Sequence, residues 1–263
     1  MMNTCVIEKL VKDYVAEYPD YHKTETNWQE PLIAYAQADD PQFAKLKQAV
    51  GPGHAMPHDL LADAETVVAY FIPFAKEIIK SNITGREASR AWALAYIQTN
   101  QLIKDLNQHI YKCLNDSGYT CSRIPPTHNF DKVKLISDWS HRHVAIIAGL
   151  GTLGLNNMLI TEKGCGGRIG TLVTNLKIPP TTRREGENCL YKSTGTCMRC
   201  VKRCVNQALE ETGFDRHRCY EMCLLNEDLH SDLGKTDVCG KCLVGVPCAM
   251  SNPAQKLSGQ YNQ

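Results

Sequence analysis

The chain has 263 residues, 43% of them apolar, 22% charged and 7% aromatic, and carries a formal net charge of +1 at pH 7. This length suffices for one large domain or two smaller ones, each with a hydrophobic core that needs no disulfide bonds. The near balance of 29 basic and 28 acidic residues excludes an overall electrostatic attraction to nucleic acids or anionic membranes. The longest apolar run, residues 67–74, is too short to span a membrane. We therefore expect a soluble, cytoplasmic protein without a membrane partner.

The spacing of apolar residues predicts helices and strands through the first two thirds of the chain. In chain order these are a helix over residues 6–15, a short helix begun by Asp40–Pro41, a buried strand over 65–72, a long amphipathic helix that ends at Gly118, and a strand over 119–124. The Thr84-x-x-Glu87 spacing is that of a capping box and predicts the start of the long helix. Because the composition changes near residue 180, we predict a mixed α/β (α+β) fold divided into residues 1–180 and 181–263.

A glycine motif, Gly149-Leu-Gly151-Thr-Leu-Gly154, matches the G-x-G-x-x-G pattern of dinucleotide-binding folds. Such a fold also needs a helix directly after the glycines and an acidic residue about 20 positions later. The sequence has more glycines instead of a helix, and Asn175 at that later position. The motif therefore favours close approach of the backbone to a flat ligand or to another element.

The cysteines carry the strongest signal in the sequence. Of 13 cysteines, nine lie in one stretch, at positions 189, 197, 200, 204, 219, 223, 239, 242 and 248. An odd total with such clustering argues against a disulfide framework and favours metal binding. The spacings C-x2-C-x3-C from Cys197 and C-x2-C-x5-C from Cys239 are typical of cuboidal iron–sulfur clusters. The nine cysteines include enough ligands for two clusters, with Cys223 the one we expect to be spare.

Zinc is the alternative, with Cys197/Cys200 and Cys239/Cys242 as a ribbon-like set of ligands. A zinc ribbon would leave the other five cysteines of the stretch idle, which favours iron–sulfur clusters. A zinc-stabilised binding protein is the corresponding alternative function.

Residues 140–160, with Arg142 ahead of an Ala-Gly-Leu-Gly turn, and the glycine-rich segment 164–174 resemble the central block of epoxyqueuosine reductases. Members of this family depend on cobalamin, hold two [4Fe-4S] clusters and are related to reductive dehalogenases. The chain resembles a shortened and divergent member. The resemblance implies a nitroreductase-like, corrinoid-binding core followed by a two-cluster ferredoxin-like domain.

The resemblance also implies roles for individual residues. One cluster is expected on Cys189, Cys197, Cys200 and Cys248, and the other on Cys204, Cys219, Cys239 and Cys242. Corrinoid contacts are expected from Arg142, Gly149, Gly151, Gly154 and Arg168, and the proton donor is expected to be Asp138 or His141. A histidine suits this task because its ordinary pKa is near neutrality.

The function implied is that of an iron–sulfur reductase, which passes single electrons to bound cobalamin for reductive elimination on an unknown substrate. Family members continue into helical repeats beyond the cysteines, whereas this chain ends soon after Cys248. We therefore expect a small-molecule substrate rather than tRNA, and a reduced ferredoxin or flavodoxin-type protein as electron donor. The alternative is an electron-transfer protein or a corrinoid-reducing partner with no substrate of its own.

Overall fold

A computed structural model of the protein describes residues 4–258. The helices are α1 Thr4–His22, α2 Gln42–Ala49, α3 Pro57–Leu60, α4 Lys76–Ser81, α5 Arg90–Asp116, α6 His141–Ile147, α7 Leu190–Thr194, α8 Arg199–Lys202, α9 Arg216–Leu229 and α10 Pro253–Ser258. The strands are β1 Leu32–Gln37, β2 Thr66–Pro73, β3 Phe130–Asp131, β4 Ile136–Ser137, β5 Thr152–Leu153, β6 Leu159–Ile160 and β7 Gly167–Thr174. None of the helices in this part of the chain has the length and apolar character needed to cross a membrane.

Strand β2 is the centre of a three-stranded antiparallel sheet with the order β1-β2-β7. Every residue of β2 is buried, because both faces of the sheet are covered by helices. Val67, Ala69 and Phe71 face a core shared with α2 and α6. The alternate residues, Val68 and Tyr70 among them, face a second core made with α1 and α5. A strand buried on both faces requires the continuous apolar sequence from which it was predicted.

Most of the predicted elements are confirmed, and two details are wrong. The long helix begins after Ser89, whose Oγ accepts a hydrogen bond from the Trp92 backbone N–H at 3.2 Å, and not at the capping box from Thr84. The carbonyl of Thr84 instead accepts a hydrogen bond from Lys241. The strand predicted over residues 119–124 is reduced to a single bridge between Cys121 and Thr174.

The glycine motif runs from the end of helix α6 through strand β5 into the turn of the short hairpin β5–β6. No helix follows Gly154, as the sequence predicted, so the dinucleotide-binding arrangement does not form. The motif makes a sharp reversal of the chain rather than a phosphate-binding turn.

The cysteine-rich part is joined to the sheet through the backbone that leads into β7. The N–H of Cys165 donates to the carbonyl of Cys248 and that of Gly166 to the carbonyl of Ala249, both at 2.9 Å. At Gly164 a Cβ atom would lie 2.6 Å from backbone atoms of residues 249–251. A third core contains buried residues from both sides of position 180. The proposed domain division there stays a prediction.

Replacing Gly170 with alanine tests the packing of the central strand. An added Cβ would lie 2.2 Å from the ring of Tyr70, which is fully buried and donates a hydrogen bond to Asn107 Oδ1 at 2.8 Å. We expect Gly170→Ala to lower the free energy of unfolding by about 1–3 kcal/mol, as overpacked cores do. Gly53→Ala is the matched control, because nothing lies within 4 Å of its Cβ position. Equal melting temperatures for the two variants would contradict this packing.

Candidate functional site

Four cysteines line one small pocket. These are Cys189, Cys197, Cys200 and Cys248, called here the first cysteine group. Cys189 directly precedes α7 and Cys200 lies in α8, so two short helices present thiols to the same space. The other walls are mainly apolar and include Ile160 and Val246.

A second cysteine group consists of Cys204, Cys219, Cys239 and Cys242. The thiol of Cys242 interacts electrostatically with those of the other three, and Cys239 interacts with Cys219 and Cys204. Cys219 comes from helix α9 and Cys242 from the 3-10 turn Lys241–Leu243. The two groups are the ones that the family resemblance implies.

Burial disfavours the charged form of three of these thiols. Burial, with Cys248 as the largest neighbouring influence, raises the pKa of Cys200 to about 11. Burial likewise raises the pKa of Cys239 to about 11 and that of Cys242 well above its ordinary value. Without a metal such thiols are neutral and weak nucleophiles. A positively charged inorganic centre is what makes a buried set of cysteines ionise.

In residues 4–258, no three His, Cys, Asp or Glu side chains are arranged as a site for one metal ion. The pairs Cys197/Cys200 and Cys239/Cys242 fall in different groups, although Cys242 also interacts electrostatically with Cys200. The ribbon-like zinc arrangement would bring all four of these thiols to one ion. The choice between iron–sulfur clusters and zinc stays a prediction.

A buried lysine fixes the loop of the second cysteine group to the first part of the chain. Lys241 is 1% exposed, and its ammonium donates to the carbonyls of Asn82 at 2.9 Å and Thr84 at 2.7 Å. The Asn82 amide in turn donates to the carbonyl of Cys239 at 2.9 Å. The lysine therefore places a positive charge beside the thiols as well as holding their backbone.

The Cβ directions of the motif glycines face protein atoms. A Cβ on Gly151 would lie 2.1 Å from the carbonyl oxygen of Ile160, and one on Gly154 would lie 2.5 Å from Asn156 Oδ1. The Cβ position of Gly149 faces Arg183 at 3.5 Å. Gly149 and Gly151 also line an open pocket, and the role of these glycines as corrinoid contacts stays a prediction.

Arg142 and Arg168, predicted together as corrinoid contacts, lie in different surroundings. Arg142 donates from Nη1 to the carbonyl of Asn157 at 2.6 Å. The pKa of Cys219 is lowered mainly by the neighbouring Cys223 and further by the positive charge of Arg142. Arg142 therefore lies beside the second cysteine group. Arg168 lies over the ring of Tyr96, 4.4 Å from its centroid, and Tyr96 donates from its hydroxyl to Asp237 at 2.6 Å.

Asp138 is part of a half-buried hydrogen-bonded pair. Its Oδ1 lies 2.5 Å from Nδ1 of His128, and its Oδ2 accepts from the amide of Asn129 at 2.8 Å. Sequence reasoning singled out Asp138 but missed His128, which lies in a loop with no periodic signal. The pair can hold a proton between two titratable side chains.

Both ring nitrogens of His141 are occupied. Trp139 Nε1 donates to Thr171 Oγ1 at 2.9 Å, the Thr171 hydroxyl donates to His141 Nδ1 at 2.8 Å, and His141 Nε2 donates to the carbonyl of Pro125 at 3.0 Å. Burial is the main cause that lowers the pKa of His141 to about 4. Both nitrogens of His141 are engaged in this arrangement, and its role as a proton donor, like that of Asp138, stays a prediction.

The fold has known counterparts among solved structures, although no protein-family model matches the sequence and no curated protein is similar to it. An epoxyqueuosine reductase from Streptococcus thermophilus superposes with a TM-score of 0.55 at 19% identity, over 96% of this chain and 68% of that one. A selenomethionine-labelled epoxyqueuosine reductase gives 0.54 at 17% identity, over 92% and 66%. The chain has the epoxyqueuosine reductase fold.

The same fold extends to a catabolic reductive dehalogenase in complex with 3-bromo-4-hydroxybenzoic acid. That structure gives a TM-score of 0.53 at 14% identity, over 85% of this chain. The chain spans about two thirds of the length of the epoxyqueuosine reductases and 30% of the dehalogenase. The expected mixed fold, a nitroreductase-like core followed by a ferredoxin-like part, is confirmed by these likenesses.

Removing one cysteine from each group tests the two groups as separate clusters. We expect Cys200→Ala and Cys242→Ala each to lose about four of about eight irons, because each removes one thiolate from a cuboidal cluster. Cys121→Ala is the control, since Cys121 is buried in the core of α1 and α5. Iron is measured after anaerobic reconstitution. Full iron in either group variant would contradict the grouping.

The lowered pKa of His141 predicts a loss of stability in mild acid. The unfolded chain protonates this residue near its ordinary pKa of 6.5, whereas the folded protein does so only near pH 4. Between these values the unfolded state binds more protons, so the free energy of unfolding falls as pH is lowered. We expect His141→Asn to make this fall shallower between pH 6.5 and 4, whereas His217→Asn, at an exposed position, retains it. Identical slopes in both variants would refute the assignment.

Proposed function

We propose that this protein is an oxidoreductase that passes single electrons from two [4Fe-4S] clusters to a bound cobalamin, for reductive elimination on a small-molecule substrate. The observation that carries the proposal is the cavity lined by four thiols, Cys189, Cys197, Cys200 and Cys248. The second cysteine group supplies an equal set of donors. The fold shared with an epoxyqueuosine reductase and a reductive dehalogenase supports the same class of reaction.

In this proposal each cysteine group holds one cluster. Thiolate-bound clusters transfer single electrons, at potentials that depend on charge, burial and hydrogen bonds to sulfur. The backbone N–H of Ala208 donates to Cys204 Sγ at 3.2 Å, and the buried ammonium of Lys241 is adjacent to Cys239. Both interactions favour added negative charge on the second group and therefore its reduction.

The corrinoid is proposed to contact Arg168 and the neighbouring face of α5. The Arg168 guanidinium lies over Tyr96, and it forms no ion pair with any residue in the described range 4–258. One helical turn beyond Tyr96, Asn100 Oδ1 is buried with no hydrogen-bond donor in that same range. A cationic side chain suits the corrinoid phosphate, and a buried amide oxygen suits its peripheral amide N–H groups. Bound cobalamin would supply a metal centre that accepts single electrons and reacts with the substrate.

The proton required by the elimination is assigned to Asp138, paired with His128. The pair is half-buried, so it exchanges protons with solvent while part of it faces the protein interior. Asn129 holds the second carboxylate oxygen, which fixes the orientation of the acid. His141, with both nitrogens engaged, is linked to Trp139 through Thr171 and donates directly to the carbonyl of Pro125.

A reduced ferredoxin or flavodoxin-type protein is the proposed electron donor. Lys192 on α7 and Arg199 and Lys202 on α8 are exposed, and they take part in no ion pair among residues 4–258. The helices that carry them also carry or adjoin Cys189 and Cys200. An acidic partner attracted to these cations would approach the first cysteine group.

Titration of anaerobically reconstituted protein with cob(II)alamin tests the proposal. We expect brown protein with about eight irons, and a change of the cobalamin paramagnetic resonance spectrum to the base-off form. Arg168→Ala should weaken cobalamin binding about tenfold, the effect of losing about 1.4 kcal/mol. The matched control is Arg123→Ala, whose guanidinium lies over Tyr111 at 4.8 Å on a different surface.

Two outcomes would contradict the proposal. Colourless protein with stoichiometric zinc would exclude the clusters. Protein that holds both clusters but leaves the spectrum of free cobalamin unchanged at saturation would be an electron-transfer protein or a corrinoid-reducing partner without a substrate of its own.

A further inference from the structure

The loop between α2 and α3 holds the backbone of the segment that carries Asp138. The N–H of Ala55 donates to the carbonyl of Asp138 at 2.8 Å, and the N–H of Ser140 donates to Nε2 of His54 at 3.0 Å. These two bonds engage the peptide units on both sides of Trp139. Two consecutive residues of one loop therefore fix the main chain directly after the candidate proton donor.

The hydrogen bonds of His54 define the protonation state of its ring. A backbone N–H can only donate, so Nε2 accepts from Ser140 and the ring proton lies on Nδ1. Nδ1 donates that proton to the carbonyl of Ala55 at 2.8 Å. A doubly protonated ring has an N–H at both nitrogens and cannot accept from Ser140. Burial is the main cause that lowers the pKa of His54, which keeps the ring in its neutral, accepting form near neutral pH.

Packing holds the same ring against Trp139. His54 is 3% exposed, and its ring is stacked on the indole with the centroids 5.6 Å apart. Phe43 of α2 is also stacked on the indole, at 6.4 Å, and Trp139 Nε1 donates to Thr171 of β7 at 2.9 Å. Trp139 is thus fixed to the central sheet, and His54 connects it to the backbone on its carboxyl side.

The start of α6 explains why the Ser140 N–H needs an acceptor outside its own helix. Ser140 is the N-cap residue of α6. In a capping box, the side chain three residues after the N-cap accepts from the N-cap N–H. His143 occupies that position, and its Nδ1 lies 2.7 Å from the Ser140 hydroxyl instead. The backbone N–H of Ser140 is consequently left for His54.

We propose that His54 is a positioning residue for the pair formed by Asp138 and His128, acting through its hydrogen bond to the Ser140 backbone and its stacking on Trp139. The carboxylate of Asp138 lies 2.5 Å from His128 Nδ1, a contact that depends on the direction in which the backbone presents the side chain. Neighbouring groups that lock this direction preorganise the acid. The inference rests on the proposed function for the role of Asp138 as proton donor. The contacts of His54 themselves involve neither the clusters nor cobalamin.

Nuclear magnetic resonance of the isotope-labelled full chain tests the hydrogen bond directly. We expect a scalar coupling between the Ser140 amide nitrogen and His54 Nε2, because the two nitrogens share one proton. The His54 ring should carry its proton on Nδ1. A His54 ring protonated at Nε2, or a Ser140 amide without this coupling, would overturn the inference.

Two variants separate the accepting nitrogen from the remaining packing. His54→Ala removes the acceptor, whereas His54→Gln retains one at nearly the place of Nε2. We expect hydrogen exchange at the Ser140 amide to become about tenfold faster in His54→Ala, the effect of losing about 1.4 kcal/mol. His54→Gln should keep most of the native protection. His58→Ala is the matched control, because His58 is an exposed histidine of the neighbouring helix α3 whose ring lies near the Ala62 carbonyl.

The pair itself gives a readout that a general loss of stability does not produce. In the native protein, the carboxyl carbon signal of Asp138 should respond to protonation of His128, because two titratable groups in contact titrate together. This response should be lost in His54→Ala and retained in both His54→Gln and His58→Ala. Equal effects of the alanine and glutamine changes at His54 would show that only packing matters, and would contradict the inference.

The outcomes also distinguish this inference from the proposed function. An unchanged Ser140 exchange rate and an unchanged Asp138 response in His54→Ala would exclude the positioning role, whatever cofactors the protein binds. If His54→Ala fails to fold, the coupling in the native protein and the behaviour of His54→Gln decide. Protein that shows all the expected signals but binds no cobalamin would contradict only the proposed function.

Discussion

Two backbone hydrogen bonds, from Cys165 and Gly166 to the carbonyls of Cys248 and Ala249, tie the cysteine-rich part to the central sheet. These hydrogen bonds require close contact between the backbone of residues 164–166 and that of residues 248–251. Gly164 permits this contact because a side chain there would collide with residues 249–251. The joint places Cys248 in the cavity of the first group and brings Cys165 against it. The first group and its neighbouring thiol therefore depend on one stretch of close backbone contact.

The sheet contributes the rigid side of this joint. Strand β2 is buried along its whole length and pairs with β7 from Thr66↔Thr174 to Pro73↔Gly167. The segment that receives Cys248 is thus the direct extension of a strand fixed on both faces by helices. On the other side, Lys241 and Asn82 fix the second cysteine group to the chain that follows α4. Each group is consequently anchored to the first part of the protein by its own contact.

Sequence reasoning succeeded where a pattern reflects one dominant force. The apolar run of β2 and the periodic stripe of α5 follow from burial. For the glycine motif, the sequence left open whether a flat ligand or another element lies beside the backbone, and the structure brings Ile160 against Gly151. The helix start was misjudged because a capping box is a local signal, and Lys241, remote in sequence, uses the Thr84 carbonyl.

The hydrogen-bond partners of the candidate proton donors could not be predicted from the sequence. The sequence does not show whether a histidine ring is free or, like that of His141, hydrogen-bonded at both nitrogens, here to Thr171 and Pro125. The pairing of Asp138 with His128 depends on how the loop before α6 folds back, for which there is no periodic signal. Such long-range polar contacts are set by the tertiary structure and leave little trace in local composition.

The order of the cysteines along the chain has a consequence for assembly. The second group, from Cys204 to Cys242, lies entirely between Cys200 and Cys248 of the first group. A chain leaving the ribosome exposes every thiol of the second group before Cys248 emerges. Under the proposed function, a cluster could therefore form on the second group while the first group still lacks one ligand, and binding of Cys248 would close a loop around the second group. Closing that loop would lower the conformational entropy of the unfolded chain. Binding of Cys248 would therefore stabilise the second cysteine group as well as the first.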